Sequence, residues 1–380
     1  MPQLTLWFLL FTAIVVGLYW LIPDNRKILF LAICSSIFLI YLDRVSFAIL
    51  LSLSALVYFQ GRARMAKREL IILMILFTVF GATRLFQLHE KISNEAKVLV
   101  VIGFGFYMLK LVHYVTEQSA NAFRDHTFLD FYAYMFFFPT MLIGPINRFD
   151  EFLQSERRLR WNEQMFADGL KRILYGYVKF IVIANWFFAK HFHPYVFHLH
   201  VEPAISVVLQ SVAYGFHLFF AFAGMSDVAI GISLLLGYNV GENFDSPFLK
   251  KNLGEFWQSW HISLSSWCRQ YVFLPLFAKS KNLPLALILT MLTIGLWHEF
   301  SIRYVLWGLY HAAGIFVWRL YQRHLAPAFI FERTESLRKT GVLFSTALTF
   351  TFVMIGFTIP RSASWHEIVL NFRMLMGGTS

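Results

Sequence analysis

The chain has 380 residues, of which 58% are hydrophobic and only 14% charged, where an ordinary globular domain carries roughly a quarter charged residues. That balance, with 43 Phe and 11 Trp, excludes a water-soluble globular protein and predicts an all-α polytopic integral membrane protein with aromatic residues facing lipid and the interface. The formal net charge of +11 comes without a basic stripe of the kind that binds nucleic acid, so no nucleic-acid partner is expected and the excess is assigned to cytoplasmic loops.

The first 20 residues, MPQLTLWFLLFTAIVVGLYW, lack a basic leader and a small-residue cleavage site, which predicts a retained first helix rather than a signal peptide. Apolar runs then fall near 3–22, 28–42, 45–60, 70–86, 97–115, 128–146, 168–190, 204–240, 256–278, 283–300, 302–322 and 341–359, or about 11 spans in a single integral-membrane domain, 1–380. Runs 28–42 and 45–60 are short for a normal hydrocarbon core and predict a locally thin bilayer. The 128–146 run contains FFFPTMLIGPINRF, whose two prolines and glycine predict a broken or re-entrant segment. The 204–240 run is too long for one straight crossing, and Gly215, Gly224, Gly231 and Gly237 predict two helices or a re-entrant pair. The loop at 61–69, with Arg62, Arg64, Lys67 and Arg68, and the loop at 148–160, with Arg148, Arg157, Arg158 and Arg160, are both expected on the cytoplasmic side. Segments 148–168 and 324–340 read as amphipathic surface pieces. Cys34 and Cys268 lie in apolar runs, which predicts neither a disulfide nor a thiolate metal site.

No GxSxG elbow, P-loop or HExxH occurs, so serine-hydrolase, NTPase and zinc-peptidase chemistry have no local support. His191, His193, His198 and His200 alternate as ligands on one side of an extended chain would, but no carboxylate or cysteine stands at metal-like spacing, and a membrane-surface loop without a metal is expected. The stretch that concentrates chemistry runs from Gly254 to His311. In it His261 and His298 stand among aromatic and aliphatic residues, a costly place for a polar ring and so a functional-site hypothesis. The plainer alternative is a buried imidazole hydrogen-bonded by backbone carbonyls. His311 lies 13 residues past His298, about 220° around a continuous helix, and is expected to face elsewhere.

The string FWQSWHISLSSWCRQYVFLPL, followed by the second histidine in GLWHEFSIRYVLWGLYH, closely resembles the two histidine motifs of the membrane-bound O-acyltransferase family. YGFHLFFAFAGMSDVAIGISLLLGYNVGENFDSPF, GLKRILYGYVKFIVIAN, FFFPTMLIGPINRF and GVLFSTALTFTFVMIGFTIPRSASW also match, so the resemblance covers nearly the whole chain. Within the family the bacterial proteins that place D-alanine on teichoic acids, and those that O-acetylate alginate and peptidoglycan, are the most similar. The chain departs from the family pattern at Gln258 and Ser259, where relatives carry arginines, at Gln270 for an Asp, at Glu299 for a Gly and at Ala221 for an Asp.

The resemblance implies helices ringed around a polar tunnel in the bacterial cytoplasmic membrane. It implies transfer of a D-alanyl, acetyl or related group from a cytoplasmic thioester donor, a phosphopantetheinyl carrier protein or acyl-CoA, to a hydroxyl of an acceptor. That acceptor is an extracytoplasmic or membrane-associated polymer, with a second acyltransferase as a possible partner, and no cofactor or metal is held. His298 is expected as general base, because a hydroxyl is a poor nucleophile until its proton is taken. His261 is expected to orient substrate or polarise the thioester carbonyl, with Trp260, Trp297, Ser263 and Arg269 contacting substrate. The alternative is a multi-span transporter or flippase that uses the histidines as proton relays.

Overall fold

The computed structural model describes residues 6–61, 72–83, 103–123, 125–324 and 335–378, so nearly all of the 61–69 loop and most of the 324–340 linker lie outside the described residues. Among the described residues the chain is helical, with one isolated antiparallel bridge. It forms two compact units interleaved in sequence, the first Met1–Gly176 with Met225–Gly241, the second Tyr177–Gly224 with Glu242–Ser380.

The first unit opens with α1 (Leu6–Tyr19), α2 (Asp24–Leu42) and α3 (Arg44–Gly61), then α4 (Ile72–Thr83) and α5 (Phe104–Ser119). α2 is longer than its apolar run because its charged start joins the helix. Asp24 sits in the first turn and pairs with Lys27 at 2.8 Å, while the Lys27 ammonium lies 4.3 Å from the Trp20 ring centre. Its 19 residues span about 28 Å, so a thin bilayer is not required at this helix, contrary to the expectation from 28–42.

The 128–146 run is broken, as its prolines predict. α6 (Phe128–Met135) begins at a Thr127–Asp130 capping box, and α7 (Phe138–Met141) carries Pro139 near its start. Neither is long enough to cross a bilayer. α8 (Phe149–Arg157) buries Phe149, Phe152 and Leu153 under an exposed charged face, the amphipathic pattern expected for 148–168. α9 (Glu163–Phe197) is one long helix with a π-helical stretch at Val178–Phe192.

The 204–240 segment is neither two helices nor a re-entrant pair. It is α10 (Pro203–Leu235), 33 continuous residues, about 50 Å long. Its glycines serve close packing rather than interruption. A Cβ on Gly231 would stand 2.6 Å from the Gly169 carbonyl oxygen, where α9 and α10 cross within the first unit, and one on Gly215 would stand 2.7 Å from the Phe357 ring within the second. The chain turns only at Gly237, at φ +85°. At the crossing, Arg172 meets the buried Asp227 at 2.6 Å.

The second unit continues with α11 (Leu253–Ser259), α12 (Ile262–Cys268), a π turn at Arg269–Phe273 and α13 (Leu274–Ser280). The 256–278 run is therefore interrupted at Trp260–His261 rather than crossing as one span. α14 (Leu283–His298) and α15 (Ile302–His324) form a hairpin, followed by α16 (Glu335–Gly356), α17 (Thr358–Arg361) and α18 (Trp365–Leu375). Among the described residues, four helical stretches have the length and apolarity to cross a membrane: Asp24–Leu42, Glu163–Phe197, Pro203–Leu235 and Arg338–Arg361.

Candidate active site

The break at Trp260–His261 is made by a non-local pairing. The segment at Asn243–Asp245 runs antiparallel to the end of α11: Phe244 bridges Trp260, the Asp245 N–H donates to the Ser259 carbonyl at 3.0 Å, and the Ile262 N–H donates to the Asn243 carbonyl at 2.9 Å. Between these bonds His261 takes φ +45°, the left-handed region, and caps α12. A non-glycine residue there costs of order 1–3 kcal/mol and persists only when its surroundings enforce it. Ser263, two residues on, donates its hydroxyl to Asn243 Oδ1 at 2.7 Å and so ties the same turn together. Trp260 is buried, with its ring within 6.1 Å of Phe219, Phe244, Phe248, Phe256 and Phe357.

The turned backbone sends the His261 ring into the unit's interior, where it is 2% exposed. It stands edge-on to Phe222 at 4.7 Å and to Trp297 at 6.0 Å. Neither ring nitrogen has a hydrogen-bond partner among the described residues. Buried polar atoms nearly always have one, so this ring departs from the backbone-bonded alternative among the described residues.

His298 approaches from the hairpin. Gly295 and Gly308 let α14 and α15 pack backbone to backbone, since a Cβ on Gly308 would stand 2.7 Å from the Met291 carbonyl oxygen. His298 ends α14, and its ring centre lies 6.3 Å from that of His261. It packs edge-on to Trp297 at 4.9 Å and stacks on Tyr304 at 5.8 Å. Trp297 therefore touches both imidazoles. The expectation that both rings stand away from water holds for His261 and is corrected for His298, which is exposed because it is the last helical residue before the Glu299–Ser301 turn.

His311 also departs from expectation. The 220° projection assumed one helix through His298 and His311, whereas the chain breaks at Glu299–Ser301 and His311 lies on α15. Its buried ring packs 4.9 Å from Trp307, which in turn lies 6.1 Å from His298, so it forms a second layer behind the site. Asn243, whose carbonyl and side chain hold the His261 turn, was missed by sequence reasoning. Its only local signal was its place in YNVGENF, a polar residue entering a loop. Arg269 is exposed at the start of the π turn, with no described contact to either histidine.

The four histidines at 191–200 do not line an extended chain. His191 and His193 belong to the helical end of α9, with His198 and His200 following it, and among the described residues no group of three or more His, Cys, Asp or Glu is placed to hold a metal. Cys268 is a buried free thiol.

A family model described as the membrane-bound O-acyltransferase family matches residues 18–364. The probable alginate O-acetylase AlgI of Pseudomonas aeruginosa is 29% identical over 93% of this chain and 70% of its own length. The teichoic acid D-alanyltransferase of Bacillus subtilis is 30% identical over 70% of each chain. The peptidoglycan O-acetyltransferase of Helicobacter pylori is 28% identical over 77% of this chain and 52% of its own length.

Proposed function

This chain belongs to the membrane-bound O-acyltransferase family and is an acyltransferase embedded in a membrane, and from that premise we propose that it carries an acyl group from a thioester to a hydroxyl through His298 and His261. The observation that carries the assignment is the pair of rings 6.3 Å apart, one of them buried with both nitrogens unpartnered among the described residues. A fold that keeps a desolvated, unsatisfied imidazole beside a second imidazole reserves it for a group from outside the chain.

In the proposed step the acceptor oxygen attacks the thioester carbonyl carbon. The C–O bond forms, the C–S bond breaks, the hydroxyl proton passes to a ring nitrogen of His298, and the thiolate leaves and takes that proton. A base so placed contributes typically ~10²–10⁴-fold. His261, turned inward with both ring nitrogens unpartnered among the described residues, orients the thioester or polarises its carbonyl. Trp297 sets the angle between the rings, and Trp260 and Ser263 hold the turn that presents His261. Arg269 remains a proposed contact for the donor on the exposed side of the π turn. The donor is a phosphopantetheinyl carrier protein or acyl-CoA reaching the site from the cytoplasm. The acceptor is an extracytoplasmic or membrane-associated polymer of a bacterial envelope, the acyl group is acetyl, D-alanyl or a relative, and about 11 spans surround a tunnel that joins the two sides. The broken α6–α7 segment supports placing the 148–160 loop with the 61–69 loop on the cytoplasmic face, because it removes one crossing between them.

The test is thioester consumption by purified protein in detergent, with acetyl-CoA and with aminoacyl carrier protein as donors. An acyltransferase releases free thiol without a sealed membrane. A transporter or flippase using the histidines as relays consumes none, and that result would overturn the proposal.

A further inference from the structure

The α14–α15 hairpin carries His298 at its closed end, and its open end holds a groove of about 530 Å³ that acyl transfer leaves unused. The turn into α14 forms one wall and the last turns of α15 the other. Lys281, Arg319 and Arg323 converge on this groove, and no carboxylate lines it. Other cations of the second unit are paired: Lys250 with Asp245 at 2.8 Å, Lys251 with Glu255 at 3.5 Å and Lys339 with Glu335 at 2.9 Å. None of the three groove cations has an ion pair among the described residues. Lys281 stands at φ +53° in the left-handed turn that ends α13, a place usually given to glycine, so the turn carries a charge that its geometry does not require.

Apolar residues lead away from the same groove. Leu283, Phe316 and Leu320 line it beside the cations. On α15, Leu309, Ala313, Val317 and Leu320 recur every three or four residues on an exposed face, while Trp307, His311 and Ile315 are buried on the other. On α14, Leu285, Ile288 and Leu289 are exposed in the same way, with Ala286, Leu287 and Thr290 buried. The α15 stripe covers about 16 Å at ~1.5 Å per residue, close to half of a hydrocarbon core ~30 Å thick. We propose that the groove and its stripes bind one anionic glycerophospholipid, with the phosphate among Lys281, Arg319 and Arg323 and the acyl chains along α14 and α15. Basic pockets between helices at the cytoplasmic edge recognise such headgroups. The cations alone would suit any phosphate, and the exposed stripes that start beside them favour one tied to acyl chains. Bound there, the lipid joins the two helices at the end that the Glu299–Ser301 turn leaves open, and so steadies the hairpin that carries His298. This inference needs the chain to sit in a membrane and is independent of the chemistry assigned to the histidines.

The test titrates the full chain, purified in detergent and stripped of lipid, with phosphatidylglycerol or with phosphatidylcholine of the same acyl chains, reading bound lipid by native mass spectrometry and melting in parallel. Phosphatidylglycerol should fill one site and raise the melting temperature, and phosphatidylcholine should do neither. Lys281→Gln, Arg319→Gln and Arg323→Gln should each weaken phosphatidylglycerol about fivefold, and the triple variant should abolish its thermal shift. The three side chains are exposed, so these variants should fold as the parent chain does. Lys339→Gln, which breaks an exposed ion pair on α16, should leave lipid binding unchanged. A loss for Lys339→Gln equal to that for Arg319→Gln overturns the proposal in favour of diffuse attraction between a cationic surface and an anionic lipid. Inorganic phosphate or glycerol phosphate that displaces the lipid and gives the same thermal shift also overturns it, since the groove would then hold a free anion. So does coenzyme A that binds with the same dependence on the three cations while phosphatidylglycerol does not compete, which would give the groove to a soluble donor.

Discussion

Buried histidines in the two units are treated in opposite ways. In the first unit His113 is 3% exposed and its Nε2 accepts the Phe149 N–H at 3.0 Å, while the Nε2 of His126 shares a hydrogen bond of 2.8 Å with the Tyr114 hydroxyl. In the second unit His261 is buried as deeply, among rings of the same kind, with both nitrogens unpartnered among the described residues. Burial and aromatic surroundings therefore do not mark a catalytic histidine, since all three share them. The difference is whether the fold has already used the ring's hydrogen-bonding capacity. A structural histidine closes its own account within the chain, and one meant for substrate holds it open.

The largest effect expected from this contrast is on turnover. His298→Ala should lower kcat by ~10²–10⁴-fold in purified protein while leaving the fold intact, because the ring is exposed at a helix end. His261→Asn should impair turnover less completely, asparagine being among the few side chains that tolerate the left-handed backbone at this position. Near-normal turnover of His298→Ala would end its assignment as base.

Stability should invert that ranking. His113→Ala strands the Phe149 N–H in a buried setting and should cost about 1–3 kcal/mol, seen as a lower melting temperature. His261→Asn strands no partner and should lower melting far less. A larger loss for His261→Asn than for His113→Ala would show that His261 is structural after all, and the contrast between the units would collapse.

The two histidines were legible because their motifs are local strings, WHISLS and GLWHE. What was illegible depends on contacts far apart in sequence. Nothing near Trp260 announces a break, since the αL residue is a histidine rather than a glycine and the pairing that enforces it comes from Asn243–Asp245. The glycines of α10 misled in the opposite direction: from composition alone, a glycine that admits a neighbouring helix at Gly231 looks like one that ends a helix at Gly237. Which imidazole is buried was likewise hidden, because an apolar neighbourhood in sequence does not reveal which residue falls at the end of the helix.

Trp297 sharpens the contrast at smaller amplitude. It stands edge-on to His261 and His298 at once, and aromatic contacts of this kind are worth about 0.5–1.5 kcal/mol each. Trp297→Leu should reduce kcat about tenfold with a modest change in KM, as both imidazoles lose their common wall. A change confined to KM would make the indole a substrate contact instead.

The smallest effect is expected at Ser263, and it decides between two roles for one hydroxyl. Its Oγ donates to Asn243 Oδ1, and Asn243 in turn holds Ile262 through its carbonyl, so the hydroxyl sits in the brace that keeps His261 turned inward. As a brace, Ser263→Ala removes one net hydrogen bond, about 0.5–1.5 kcal/mol, and should lower the melting temperature slightly. Turnover should then fall a few-fold through a less fixed His261, and Asn243→Ala should produce the same pattern more strongly because it removes both the donor's partner and its own packing. As a substrate contact, Ser263→Ala would raise KM with melting unchanged, and Asn243→Ala would not reproduce it. Melting and KM measured on the two variants separate these outcomes, since only the brace couples them through the same turn.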